Sequence, residues 1–279
     1  MKFYKYTGLG NDFILIDNTK GKIHMDSQLA KTMCNRYFGI GADGIVLASA
    51  SESCDIRMEI YNSDGSIAEM CGNASRCFAK FCYEKNLMHK ERFTMETLAG
   101  VIEPKLNIEC GIVKEVTVDM GLPKFCSKDI PFKIDLDKVV DYPIQVDGIE
   151  YLITSMFMGV PHTVIFTDNI EDENVIAEGR KIEVSEYFPR KTNVNFVSII
   201  NRNEIKLRTW ERAAGYTLAC GTGSCAAVVA GIECNKLNNK VKVHLRGGDL
   251  TIEWDKVEHV KMTGEAKEVF NGEYEENSI

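Results

Sequence analysis

One short pattern occurs twice in this 279-residue chain, and its recurrence narrows the folds open to it. Met70-Cys71-Gly72-Asn73-Ala74-Ser75-Arg76-Cys77 resembles Ala219-Cys220-Gly221-Thr222-Gly223-Ser224-Cys225. The two Cys-Gly pairs lie 149 residues apart, about half the chain, and each follows a polar, glycine-containing stretch and opens a segment with helical spacing. Self-similarity at half-length points to a duplicated domain with one Cys-Gly helix start in each copy. No low-complexity linker separates the copies.

Strand signals dominate the rest. Phe13–Ile16, Ile56–Ile60, Val116–Val118, Thr163–Phe166 and Val194–Val197 are short and rich in β-branched or aromatic residues. A late hairpin is expected from Val241–Leu245 and Leu250–Trp254 around Gly247-Gly248, and a final strand over Ala266–Phe270 before a solvated acidic end. Helical spacing marks four segments: Ser27–Tyr37 capped by Asp26, Asn73–Lys85, Val175–Tyr187 and the small-residue stretch Thr222–Cys234. Many strands and few helices, not in strict alternation, predict an α+β fold.

Composition removes several classes of function. There are 33 Lys and Arg against 41 Asp and Glu, a net charge of −8, so no basic stripe is available for nucleic acid. No apolar run approaches the roughly 18 residues that span a bilayer, which argues against a membrane partner. Asp12 would fall in the core of any export signal, so the chain is read as cytoplasmic. Ten cysteines in such a chain imply reduced thiols, most of them small buried hydrophobes. No Cys-x-x-Cys occurs, and the histidines at 24, 89, 162, 244 and 259 form no cluster, so no metal is expected.

Gly39-Ile40-Gly41-Ala42-Asp43-Gly44 matches a dinucleotide-binding pattern that requires a strand before it and a helix after it. Here a helix leads in and the strand Ile45-Val46-Leu47 leads out, so the motif is read as a turn.

The Cys-Gly starts carry more chemistry. A thiol at a helix N-terminus sits at the positive end of the macrodipole, which favours its thiolate. The open N–H groups of the first turn bind anions such as a carboxylate. Two facing starts would place a base on one side of a carbon and an acid on the other, giving inversion with the developing charge held by both helix ends. The pattern by itself is equally compatible with two buried cysteines that happen to precede helices.

Met1–Asp17 (MKFYKYTGLGNDFILID), Asn62–Gly72 (NSDGSIAEMCG) and Arg208–Ser224 (RTWERAAGYTLACGTGS) resemble the diaminopimelate epimerase family. So do Gly39–Gly44, Gly159-Val160-Pro161-His162, Thr192-Asn193 and Met262-Thr263-Gly264, in family order over nearly the whole chain. The resemblance implies two pseudo-symmetric α+β domains, each a curled, mostly antiparallel sheet around a central helix, with the active site in the cleft between them. Residues 1–120 with the C-terminal strand at about 265–279 would form the domain carrying Cys71, and residues 121–264 the domain carrying Cys220. It implies an isomerase: a racemase or epimerase of a small-molecule amino acid, without pyridoxal phosphate or any other cofactor, in a family that is often dimeric.

By the same resemblance, Cys71 and Cys220 are the catalytic pair and His162 and Glu211 their supporting acid–base groups. Gly72, Asn73, Gly221 and Thr222 would offer N–H groups to the α-carboxylate, with Asn11, Asn62, Asn193 and Arg212 as further substrate contacts and Gly44 where some members have glutamine.

Departures cluster in substrate-facing motifs. The family's Gly-Asn-Pro-His has Val160 in place of the asparagine, and valine can neither donate nor accept a hydrogen bond. Its Cys-Gly-Asn-Gly has Ala74, and its Glu-Arg-Gly-x-Gly-Glu-Thr reads Glu211-Arg212-Ala213-Ala214-Gly215-Tyr216-Thr217. A zwitterionic tail facing an apolar group loses roughly 1–3 kcal/mol per unsatisfied partner. The leading expectation is therefore a substrate with one stereocentre, such as histidine, with Val160 and Tyr216 lining its pocket. The alternative is diaminopimelate epimerase itself, and a non-catalytic amino-acid binder or thiol-redox protein on the same fold is the reading from another class.

Overall fold

The computed structural model describes residues 1–275. Its first half runs β1 (Lys2–Gly8), β2 (Asn11–Asn18), α1 (Ser27–Cys34), β3 (Gly44–Ser49), β4 (Ile56–Asn62), β5 (Ile67–Ala68), α2 (Gly72–Glu84), β6 (Met95–Thr97), β7 (Gly100–Ile102), β8 (Lys105–Glu109) and β9 (Ile112–Asp119). There follow β10 (Val139–Val146), β11 (Ile149–Met158), β12 (Val160–Phe166), α3 (Asp172–Glu183), β13 (Asn193–Asn201), β14 (Glu204–Glu211), β15 (Gly215–Thr217), α4 (Gly221–Glu233), β16 (Lys240–Leu245), β17 (Gly248–Glu253), β18 (Lys261–Gly264) and β19 (Lys267–Glu273). The fold is α+β with mixed sheets, and the chain divides into two compact units: Met1–Val118 with the segment from Gly264 onward, and Asp119–Thr263. Of the expected solvated C-terminal end, residues 276–279 lie outside the described residues.

In the first unit the strands run in the order β19-β1-β2-β3-β4-β6-β7, with β5 paired to β4. β3 is buried over five consecutive residues because α2 packs against β1 to β3 while α1 packs against β3 and β4. α2 is enclosed in turn: Asn73 to Ala79 are all buried, with Phe81 and Cys82 beyond them.

The second unit repeats this plan. β11–β12, β13–β14, β14–β15 and β16–β17 are antiparallel and β12–β13 and β14–β16 parallel. The same succession holds for β1–β2, β2–β3, β3–β4, β4–β5, β4–β6 and β6–β7. The register repeats too, since Phe13 faces Gly44 as His162 faces Asn193, and Val46 faces Ile60 as Asn195 faces Thr209. α4 is the second unit's central helix, with every residue from Gly223 to Ile232 buried and contacts to β11, β12, β13, β14 and β17. A helix hydrophobic all round must be enclosed, and the run of Gly, Ala and Val lets the sheet approach it. Gly231 shows the tightness, because an added Cβ would meet the Leu237 side chain at 2.2 Å.

All four expected helices form, with shifted ends. α1 stops at Cys34 rather than Tyr37 because Asn35 leaves the helical region and its Oδ1 accepts from the Tyr37 and Phe38 N–H groups. The Asp26 cap is present, its side chain accepting from Leu29 N at 2.8 Å. α3 begins at Asp172 and ends at Glu183, earlier than the expected Val175–Tyr187; Asp172 and Glu173 fill its first turn, where acidic groups favour the dipole. The Gly39–Gly44 motif is a turn: a Cβ on Gly39 would lie 2.1 Å from the Thr32 carbonyl oxygen, and Gly41 takes φ +78°.

Candidate active site

In the first unit Cys71 is the N-cap of α2, its backbone extended at φ −148°, ψ 118°, and it is half-buried. Its carbonyl accepts from both Ser75 N and Ser75 Oγ, which closes the first turn. The side chain of Asn73 donates to Asn11 Oδ1 at 3.4 Å, and Asn11 Nδ2 donates to Asp43 Oδ2 at 2.5 Å. Asp43 also accepts from Asp12 N and from Arg36, whose guanidinium forks onto Asp12. Burial alone would raise the Asp12 carboxyl, but hydrogen bonds from Arg36 and Lys5 hold it well below the usual carboxylate range. Asn62, at the end of β4, donates to Ser66 Oγ at 2.9 Å. Gly44 is confined, since a Cβ there would stand 2.7 Å from the Tyr61 carbonyl oxygen.

The second unit has Cys220 at the same place in its plan. Cys220 caps α4 with similar extended dihedrals, φ −130°, ψ 111°, but only 5% of it is exposed. Its Sγ accepts from Gly223 N at 3.4 Å and donates to Glu211 Oε2 at 3.3 Å, with the Thr222 hydroxyl 3.6 Å away. Burial pushes the thiol well above its usual range and the Glu211 charge adds to this, while Thr222 and Gly223 act in the opposite sense. Thr217 donates to the other carboxylate oxygen of Glu211 at 2.6 Å. The β14–β15 hairpin thus carries the acid and its support, and α4 carries the sulfur.

Beneath them His162 is completely buried, and burial with the nearby Arg212 charge lowers it to about 3, so its ring is neutral. Asn195 Nδ2 lies 3.1 Å from His162 Nδ1. Asn193 accepts from Arg212 N at 2.7 Å and donates to the Pro161 carbonyl, which ties the end of β14 to β12 and β13. Val160 is half-buried at the head of β12. The Tyr216 hydroxyl donates to Asp172, Arg246 lies 5.9 Å from its ring, and the side chain packs on the core cluster that includes Ile182, Val194 and Phe196.

Sequence reasoning did not reach Asn195, Thr209 or Thr217. In a strand such as Asn-Val-Asn-Phe-Val, alternating asparagines read as a solvated face, and only the placement of α4 reveals that Asn193 and Asn195 are buried. The ten cysteines divide evenly: Cys34, Cys77, Cys82, Cys220 and Cys225 are buried, whereas Cys110 is exposed and the others are half-buried. Burial raises Cys34 to about 11 and Cys77 to about 12, as suits inert structural thiols. Among the described residues no group of three or more His, Cys, Asp or Glu is arranged to hold a metal ion, and no helix is long and apolar enough to cross a membrane.

Two units of this kind define a structural class to which known isomerases belong. The chain superposes on a hydroxyproline epimerase from Agrobacterium vitis with a TM-score of 0.69 at 14% identity, covering 98% of this chain and 91% of that one. It superposes equally, with a TM-score of 0.69 at 14% identity, on a phenazine biosynthesis protein of the PhzF family from Bacillus anthracis, covering 98% of each. At that identity these likenesses describe the fold. Kinship of sequence goes further, for the model of the family described as diaminopimelate epimerase matches residues 3–126 and 154–269. A diaminopimelate epimerase of Pelotomaculum thermopropionicum is 49% identical over 276 residues, 98% of this chain and 99% of the relative. Another, from Caldanaerobacter subterraneus subsp. tengcongensis, is 46% identical over 275 residues, 99% and 100% of the two chains. The chain belongs to the diaminopimelate epimerase family and is an isomerase of the racemase and epimerase type.

Proposed function

We propose that the protein epimerises diaminopimelate, converting the LL to the meso form without a cofactor, by proton transfer between Cys71 and Cys220. The observation that carries this reading is kinship along the whole chain, 44–49% identity to relatives of that name. Histidine as the substrate lacks comparable support. That expectation leaned on Tyr216 as an aromatic pocket wall, and the side chain is tied to Asp172 and packed against the core.

In the proposed reaction a thiolate on one face takes the α-proton, and the C–H electron pair passes to the carbon and its carboxylate. The thiol on the other face then delivers its proton to the same carbon. Composition is unchanged, configuration is inverted, and the two sulfurs have exchanged protonation states. Cys220 fits the resting thiol, since its Sγ donates to the Glu211 carboxylate. The N–H groups of Gly72, Asn73, Gly221 and Thr222 belong to first turns and suit the α-carboxylate and the charge it gains. Asn11, Asn62, Asn193 and Arg212 serve as further contacts. Working thiols require a reducing compartment, which agrees with a cytoplasmic enzyme.

Proton NMR in heavy water tests this. LL-diaminopimelate and L-histidine are offered separately to the reduced protein without pyridoxal phosphate. Loss of the α-proton signal with diaminopimelate and its persistence with histidine is the expected result. Exchange with histidine alone would restore the single-stereocentre reading, and silence in both tubes would favour a binder.

A further inference from the structure

The two ring nitrogens of His162 have unlike surroundings. Nδ1 faces Asn195 Nδ2 at 3.1 Å, whereas Nε2 is buried with no hydrogen-bond partner among the described residues. The orientation of the Asn195 amide is settled by its other contacts. Nδ2 donates to the Thr163 carbonyl at 3.2 Å, and Oδ1 accepts from the Thr209 hydroxyl at 3.1 Å. Turning the amide over would set its oxygen against the Thr163 carbonyl oxygen, two acceptors face to face. The group presented to Nδ1 is therefore a donor, Nδ1 must accept, and the ring proton resides on Nε2.

We infer that Asn195 is a positioning residue of this site, which locks His162 as the neutral Nε2–H tautomer so that the ring acts as a buried hydrogen-bond donor and not as a proton acceptor. This rests on the epimerase reading above and leaves Glu211 as the acceptor that the Cys220 thiol faces.

Two independent features tie this lock to function. At the same 149-residue spacing that relates Cys71 to Cys220, the first unit has Phe13, Val46 and Ile60 where the second has His162, Asn195 and Thr209. Those three are buried at 4%, 0% and 2% exposure, so this part of the plan is built perfectly well from apolar side chains. Burying an imidazole and an amide there adds a desolvation penalty that folding does not require. The second feature is Gly223 in the first turn of α4. A Cβ on it would stand 2.5 Å from Asn195 Oδ1, so the helix start that carries Cys220 is cut to admit that amide. The corresponding residue of α2 is Ala74. Arg212 is the charged group acting on the ring, and its positive charge opposes a second proton.

The test reads the tautomer directly, by long-range ¹H–¹⁵N correlation on the full chain with ¹⁵N-labelled histidine, His162 being assigned by its absence in His162→Phe. An unprotonated Nδ1 and a proton-bearing Nε2 at pH 7 are expected, and an Nδ1–H tautomer or an imidazolium overturns the proposal. No substrate is needed, so this result is independent of which amino acid the enzyme takes. Asn195→Asp offers an acceptor to Nδ1 and is expected to move the proton there, with kcat for α-proton exchange falling about a hundredfold while KM changes less than about threefold. Asn195→Val introduces the side chain that Val46 already places at this point of the first unit; it should mix the two tautomers and lower kcat about tenfold. An unchanged tautomer or full activity in both variants overturns the proposal.

Discussion

At corresponding places of their shared plan the first unit has an amide, Asn62, and the second a carboxylate, Glu211, which accepts from its cysteine and from Thr217. Strand order, pairing sense and register repeat, and the 149-residue spacing sets Asn62 against Glu211, Ala68 against Thr217 and Gly44 against Asn193. In the second unit Cys220 donates to that carboxylate at 3.3 Å. In the first unit the Lys5–Asp12–Arg36–Asp43 network reaches the helix start through Asn11 and Asn73. The shared plan thus carries two Cys-Gly helix starts whose neighbouring side chains differ in a few places.

The most severe way to break this comparison is to remove either sulfur. Cys71→Ala and Cys220→Ala should each lower epimerisation about a thousandfold or more, while leaving the intact side able to exchange the α-proton with solvent in heavy water. Full inversion with one cysteine would show that the two starts do not work as a pair. Glu211→Gln should come next, lowering kcat about a hundredfold because Cys220 loses the charged group that accepts its hydrogen bond. Asn62→Ala, at the corresponding place in the first unit, should act mainly on KM. Equal effects on kcat from both variants would erase the difference between the units.

The buried histidine sharpens the comparison through pH. Its folded value of about 3 lies below the ordinary 6.5, so between these values the unfolded chain binds a proton that the folded chain refuses. The associated stability is complete above about pH 6.5 and is lost as pH falls from there toward 3, at roughly 1.4 kcal/mol per unit. Between pH 7 and 5 the loss is about 2 kcal/mol, to be read from urea midpoints, and His162→Phe should abolish it because Phe13 in the first unit has nothing to protonate. The smallest effect concerns the turn before each cysteine. Gly65 takes the left-handed conformation in the first unit, whereas Ala213, at φ +67°, takes it in the second. Ala213→Gly should stabilise the protein by about 1 kcal/mol, measured as a higher Tm.

Much of this was legible in the chain. Periodicity and capping marked all four helices, the order of helix and strand around Gly39–Gly44 excluded a nucleotide loop, and the repeated Cys-Gly start revealed the duplication. What stayed hidden were side chains whose role depends on burial from far away. Asn195 looks like one more polar residue on a strand until α4 covers it. The hydrogen bond of Tyr216 was hidden too, because nothing nearby in sequence announces Asp172, 44 residues earlier, as its partner.

The sequence by itself determined the α+β class, the two cysteines at helix starts and the kinship, because these depend on local spacing and on ordered blocks along the chain. Tertiary structure alone decided that Cys220 faces a carboxylate, which nitrogen of His162 holds the proton and why residue 223 is glycine. Those outcomes depend on distances of about 3 Å between strands far apart in sequence, and hydrogen bonds in a dry interior are made or lost at that scale.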